Sequence, residues 1–115
     1  MSIKEVRMSA AANNRQNKRA YHLKPTKIAL KGTFFELNDV SSGGIGLILQ
    51  EGGPDFITGE RIAHIPLELT DGPVSLQGVV SHISVLTNKT VCGIRFILTG
   101  DQYDAVMQFQ KERAV

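Results

Sequence analysis

The chain reads as an all-β core with a terminal helix, a small barrel or sandwich, and three observations predict this. Six short runs rich in β-branched and aromatic residues lie between Tyr21 and Leu98, separated by Gly, Pro, Ser and Asn clusters. After Thr99 the apolar spacing changes from two to three and four residues, the period of a helix. A length of 115 residues with a 42% apolar content is enough to bury one core without disulfides or metal.

The elements follow in order. Residues 1–20 hold no sustained period; Ala10–Ala12 would support only a brief turn before Asn13, Asn14 and Asn17. They are expected to form a flexible N-terminal arm. His22–Lys31 and Thr33–Val40 are extended, joined at Gly32 by a turn the residue types specify poorly. Ser41-Ser42-Gly43-Gly44 is a turn by composition, and Ile45–Leu49 a short apolar strand ended by Glu51-Gly52-Gly53-Pro54-Asp55. Arg61–Leu69 follows, with Ile62, Ile65, Leu67 and Leu69 expected inward. Asp71-Gly72-Pro73 makes a turn into Val74–Leu86, where Leu76, Gly78, Val80 and His82 alternate against Gln77, Val79 and Ser81. Thr87-Asn88-Lys89 breaks the chain before Thr90–Leu98. Thr99 is placed to cap a helix with Asp101 in its first turn, and Tyr103, Val106, Met107 and Gln110 mark its face, with Ala105, Phe109 and Ala114 nearby. The expected division is an arm over 1–20, a β core over 21–98 and a packed helix over 99–113.

Charge is distributed unevenly. Residues 1–31 carry eight Lys/Arg and one acidic residue, a formal +7; residues 32–115 carry five basic and ten acidic residues, a formal −5. A basic leader before an acidic body draws in phosphate-bearing partners but lacks the broad basic surface of a double-helix binder. No run approaches the roughly 18–20 apolar residues that span a bilayer, and the first residues lack the apolar stretch of a secretory signal. Membrane insertion is not expected, and the expected location is cytoplasmic. Cys92, the single cysteine, sits in an apolar run and reads as a core residue. His22, His64 and His82 form no metal motif, so they read as structural or solvent-facing. No set of nucleophile, base and orienting group is visible, and neither catalytic residues nor a cofactor is expected.

Two features carry recognition chemistry. Arg15 and Arg19 are separated by three residues within the basic leader, and rigid guanidinium forks engage phosphate oxygens, bind the O6/N7 edge of guanine or stack on a purine. Alone, the pair is equally a solubilising leader. Asp39-Val40-Ser41-Ser42-Gly43-Gly44 offers a carboxylate to accept from a guanine N1–H and exocyclic amine, a hydroxyl at the bend, and glycines that admit special dihedrals and close ligand approach. Alone, it is equally an ordinary β-turn.

In order and spacing, these residues resemble the PilZ domain, a receptor family for the bacterial second messenger cyclic di-GMP. Arg15 and Arg19 match its R-x-x-x-R; Asp39, Ser41 and Gly44 match its [D/N]-x-S-x-x-G. Gly93 and Phe96 resemble a later G-x-x-F. The resemblance covers roughly residues 13–112. It implies a six-stranded antiparallel barrel with a C-terminal helix and no catalysis. It further implies that Arg15 and Arg19 contact phosphate and guanine, Asp39 and Ser41 read a guanine edge, and Gly44 preserves the turn. Lys18, Gly43 and Arg95 are secondary candidates for ligand contact. The expected mechanism is closure of the arm over cyclic di-GMP, changing a surface seen by a downstream protein partner. Both a monomeric and an intercalated dimeric ligand fit the resemblance, and both a monomeric and a homodimeric protein. Two other functions stay open. A ligand-independent interaction adaptor predicts partner binding without the nucleotide. A barrel binding single-stranded nucleic acid predicts an exposed aromatic groove, although Phe34, Phe35, Phe56 and Phe96 are more readily assigned to packing.

Overall fold

Branched apolar residues at alternate strand positions need a common interior, and six strands supply it. The computed structural model describes residues 21–115. Strands β1 (Lys27–Leu30), β2 (Thr33–Ser41), β3 (Gly44–Leu49), β4 (Arg61–Leu69), β5 (Gly72–Val85) and β6 (Thr90–Ile97) precede one helix, α1 (Gln102–Arg113). All pairings are antiparallel, in the order β1-β2-β3-β6-β5-β4. The edge strands β1 and β4 meet, so the sheet curls into a nearly closed barrel. Its core includes Phe35, Val40, Ile45, Leu47, Ile65, Leu76 and Ile94. Ile62, Ile65 and Leu67 point inward as expected, with Leu69 packed at the margin.

The first strand is shorter than the expected His22–Lys31. Pro25 has no N–H to give a ladder, and regular pairing begins only at Lys27. Before it, Leu23 bridges to Ala114, the Lys24 N–H donates to the Arg113 carbonyl (2.8 Å) and the Val115 N–H to the His22 carbonyl (3.2 Å). The start of the described chain is thus strapped to the end of α1. The β1–β2 turn is a two-residue hairpin through Lys31 (φ 52°) and Gly32 (φ 74°), the left-handed pair that matches strand twist. Lys31 holds this unusual conformation while its ammonium meets Glu60 (2.6 Å), the Asp55 carbonyl and the Phe56 ring (4.3 Å to centroid). Phe56 in turn packs edge-on against Phe35, centroids 5.5 Å apart.

Three further expectations shift. The β4–β5 turn lies at Thr70 and Asp71, and Gly72 and Pro73 belong to β5, paired with Leu69 and Glu68. Asp101, not Thr99, occupies the helix cap position, and its side chain makes no cap bond. Thr99 contributes through its backbone: its N–H donates to Gln102 Oε1 (3.1 Å) and its carbonyl accepts from the Gln102 N–H (2.9 Å). Val106 and Phe109 are the buried residues of α1, whereas Tyr103 and Met107 are exposed. The helix is therefore rolled from its expected face, with Arg113 also turned toward the barrel, where it donates to the Glu68 carbonyl (2.6 Å).

Candidate functional site

Strand alternation would hide Asp39. It lies two residues after Leu37, which pairs with the core residue Leu47, so an unbroken β2 would point both inward. A β-bulge prevents this. The register slips between Leu37 and Asp39, leaving Asn38 as the extra residue and pairing Asp39 with Gly46 on the outer face. The same device recurs in β5. Val80 is buried opposite Ile94, then the register slips at Ser81 and His82 pairs with Gly93. The expected shared face of Val80 and His82 is thereby corrected: the bulge turns His82 outward, and it is exposed.

These two residues end one continuous row across four strands: Asp39 on β2, Gly46 on β3, Gly93 on β6 and His82 on β5. The central glycines are sterically required by what lies over them. A Cβ on Gly46 would come 2.2 Å from Asp39 Oδ2, and one on Gly93 would come 2.2 Å from His82 Cε1. The carboxylate and the imidazole therefore lean over a glycine floor from opposite sides. They line an open cleft of about 180 Å3, with Tyr21, Asn38, Ser84, Leu86 and Val91 completing its walls.

Asp39 is positioned from behind. Lys89 Nζ donates to Asn38 Oδ1 (2.6 Å), and Asn38 Nδ2 donates to Asp39 Oδ2 (2.7 Å). The bulge residue thus relays a cation in the β5–β6 turn to the carboxylate, which is itself buried.

The neighbouring row carries Ser41, Gly44 and Arg95, paired in sequence across β2, β3 and β6. Ser41 and Ser42 are buried, and Ser41 Oγ accepts from the Gly43 N–H at 3.2 Å. The Gly43 carbonyl accepts from the Phe96 N–H (2.8 Å), locking the hairpin onto β6. Ser41 and Gly44 extend their strands beyond the expected turn, which reduces to Ser42-Gly43. What Gly44 contributes is close approach, not a special dihedral: a Cβ there would lie 2.2 Å from the Ile94 carbonyl oxygen. Arg95 is exposed on this same face.

Asp39, Ser41, Gly44 and Arg95 are thus brought together, whereas Arg15, Lys18 and Arg19 lie outside the described residues. Neither Gly46 nor His82 stands among the site residues read from the sequence. Glycines inside the predicted strands at 46 and 93 were the available signal, since glycine within a strand marks a close approach. On the reverse side of the same strands, burial pushes the Cys92 thiol up to about 11, removing it from nucleophilic use. Among the described residues no cluster of His, Cys, Asp and Glu is arranged to hold a metal ion, and no helix is long and apolar enough to cross a membrane.

No family model matches the chain, and neither does any curated protein sequence. Solved structures do. YcgR from Escherichia coli in complex with cyclic di-GMP is 20% identical with a TM-score of 0.66, over 85% of this chain and 45% of that one. The MrkH–cyclic di-GMP complex of K. pneumonia is 16% identical with a TM-score of 0.67, over 85% and 51%. The isolated PilZ domain of E. coli YcgR with cyclic di-GMP is 18% identical with a TM-score of 0.63, over 85% and 89%. This chain spans about half the length of the first two and most of the single domain. The fold is a PilZ-like six-stranded antiparallel barrel with one C-terminal helix, the architecture implied by the resemblance.

Proposed function

We propose that this domain is a non-catalytic receptor for cyclic di-GMP, which binds on the outer face of β2, β3, β6 and β5. The observation that carries the reading is the outward presentation of Asp39, Ser41 and Gly44 beside a glycine floor. It is supported by likeness of fold to domains solved with that ligand. Asp39 accepts from the Watson–Crick edge of a guanine, and Ser41 adds a hydroxyl on the adjacent row. Gly44 keeps the hairpin close to β6. Arg15 and Arg19 reach over from the preceding segment to the phosphates and the purine face, with Lys18 and Arg95 adding positive charge. A cleft of about 180 Å3 seats a base and leaves the rest of a dinucleotide on the open face, to be covered by that segment.

The strap between His22–Lys24 and Arg113–Val115 gives closure a route to a downstream protein. Arg19 precedes the strap by only a few residues, so rearrangement there loads the end of α1. Calorimetric titration of the full chain with cyclic di-GMP tests the reading. Saturable binding, weakened at least several-fold by Arg19→Ala and by Asp39→Ala, is expected. Absence of binding by the folded wild type overturns it.

A further inference from the structure

The β5 bulge at Ser81 has no evident purpose in closing the barrel, since β5 and β6 pair on both sides of it. Its effect is to carry His82 from an inward to an outward position, mirroring what the Asn38 bulge does for Asp39. Bulges next to binding sites re-aim side chains in this way. The imidazole then rests on Gly93 and not on a side chain. Cε1, Nδ1 and Nε2 come 2.2, 2.6 and 2.7 Å from where a Gly93 Cβ would stand.

A small hydrogen-bond network sets the ring's polarity. Ser81 Oγ donates to the Gly93 carbonyl (3.1 Å) and lies 3.1 Å from His82 Nδ1. With its hydrogen committed to the carbonyl, the hydroxyl oxygen accepts from Nδ1–H. The neutral ring therefore carries its hydrogen on Nδ1 and keeps Nε2 as an acceptor.

Resting on the receptor reading above, we infer that His82 is a specificity-determining residue of the cleft, its Nε2 accepting a hydrogen bond from the exocyclic amine of the guanine held by Asp39. The amine bears two hydrogens. One lies beside N1–H on the edge that a carboxylate takes bidentately; the other points away, toward the far side of the base. Asp39 and His82 lean over the paired glycines Gly46 and Gly93 and line the same cleft, so a second acceptor lies across the glycine floor from the carboxylate. A purine without this amine leaves Nε2 unmatched.

A ligand-and-mutant cycle tests this. Cyclic di-GMP and cyclic di-IMP, which lacks the amine, are titrated into wild type and into His82→Phe, which keeps a planar ring without the acceptor. His82 is exposed, and thermal melts verify that the variant folds. Wild type is expected to prefer cyclic di-GMP. His82→Phe should weaken cyclic di-GMP by about 5–10-fold, the worth of one net hydrogen bond, and leave cyclic di-IMP nearly unchanged. Unchanged cyclic di-GMP affinity, or equal losses for both ligands, overturns the role of His82 while leaving the receptor reading intact. A wild type that binds neither ligand overturns both.

Discussion

The inner and outer faces of β3 and β6 are built from alternate residues of the same two strands, yet they answer opposite demands. Inward, Ile45, Leu47, Cys92 and Ile94 fill the barrel at almost no exposure. Outward, Gly44, Gly46 and Gly93 remove side chains so that a carbonyl, a carboxylate and an imidazole can approach the sheet. The inner face is filled with side chains, whereas the outer face leaves a glycine gap between Arg95 on one side and Ile48 and Val91 on the other. The proposed site is thus made by what the outer face omits, with bulges in β2 and β5 swinging a carboxylate and an imidazole over the gap.

Substitutions at neighbouring positions on the two faces should separate stability from binding. Leu47→Ala empties core volume and should cost about 2–5 kcal/mol, read from denaturant midpoints. Gly44→Ala and Gly46→Ala then make a matched pair, because each new Cβ would sit 2.2 Å from its nearest atom. At Gly44 that atom is the backbone oxygen of Ile94, so the strands must separate; a loss of about 1–3 kcal/mol is expected. At Gly46 it is the Asp39 carboxylate, a side-chain group that can be displaced at the cost of its hydrogen bond from Asn38. Stability should therefore fall by only about 1 kcal/mol, the worth of that hydrogen bond, while cyclic di-GMP affinity falls about tenfold or more. Similar binding by Gly46→Ala and wild type would break the proposed division between the faces.

The inner face should also be chemically silent. With the Cys92 thiol pushed up to about 11 by burial, a thiol reagent at neutral pH should label it only after denaturation. The smallest effect lies at the β1–β2 turn. Lys31 and the Ile57 N–H hold the Glu60 carboxyl below its ordinary value of 4.5. A depressed folded-state value stabilises the fold above 4.5, and this increment is lost as pH falls through the folded value. Because the pair is largely solvated, Lys31→Met should only slightly flatten the acid limb of a melting-temperature profile.

Periodicity made the strand sequence and terminal helix legible, because an amphipathic strand and helix differ in apolar spacing. Ile62, Ile65 and Leu67 illustrate both its strength and its limit. They were readable as inward, but the interval of three between the first two reflects a bulge that spacing alone did not reveal. The same blindness hid how Asp39 reaches the outer face and grouped His82 with Val80 in one alternation, although a solvent-facing His82 was among the readings. A bulge is decided by pairing with another strand, and its extra residue need carry no distinctive chemistry. Asp39, Ser41 and Gly44 were legible as a motif, whereas Gly46 acquires meaning only when the register sets it beneath Asp39 and beside Gly93. The helix face was legible at Val106 and, beside it, Phe109, but packing against β4 and the strap turned Tyr103 and Met107 outward.

Mapping backbone amide shifts while the full chain is titrated with cyclic di-GMP shows whether the glycine-floored outer face is where the ligand binds. Saturable changes are expected at Asp39, Ser41, Gly44, Gly46, His82, Gly93 and Arg95, together with Arg15 and Arg19, while Leu47 and Ile65 move little. Saturation with no shift on this face, or with the largest shifts elsewhere on the barrel, would contradict that placement of the ligand.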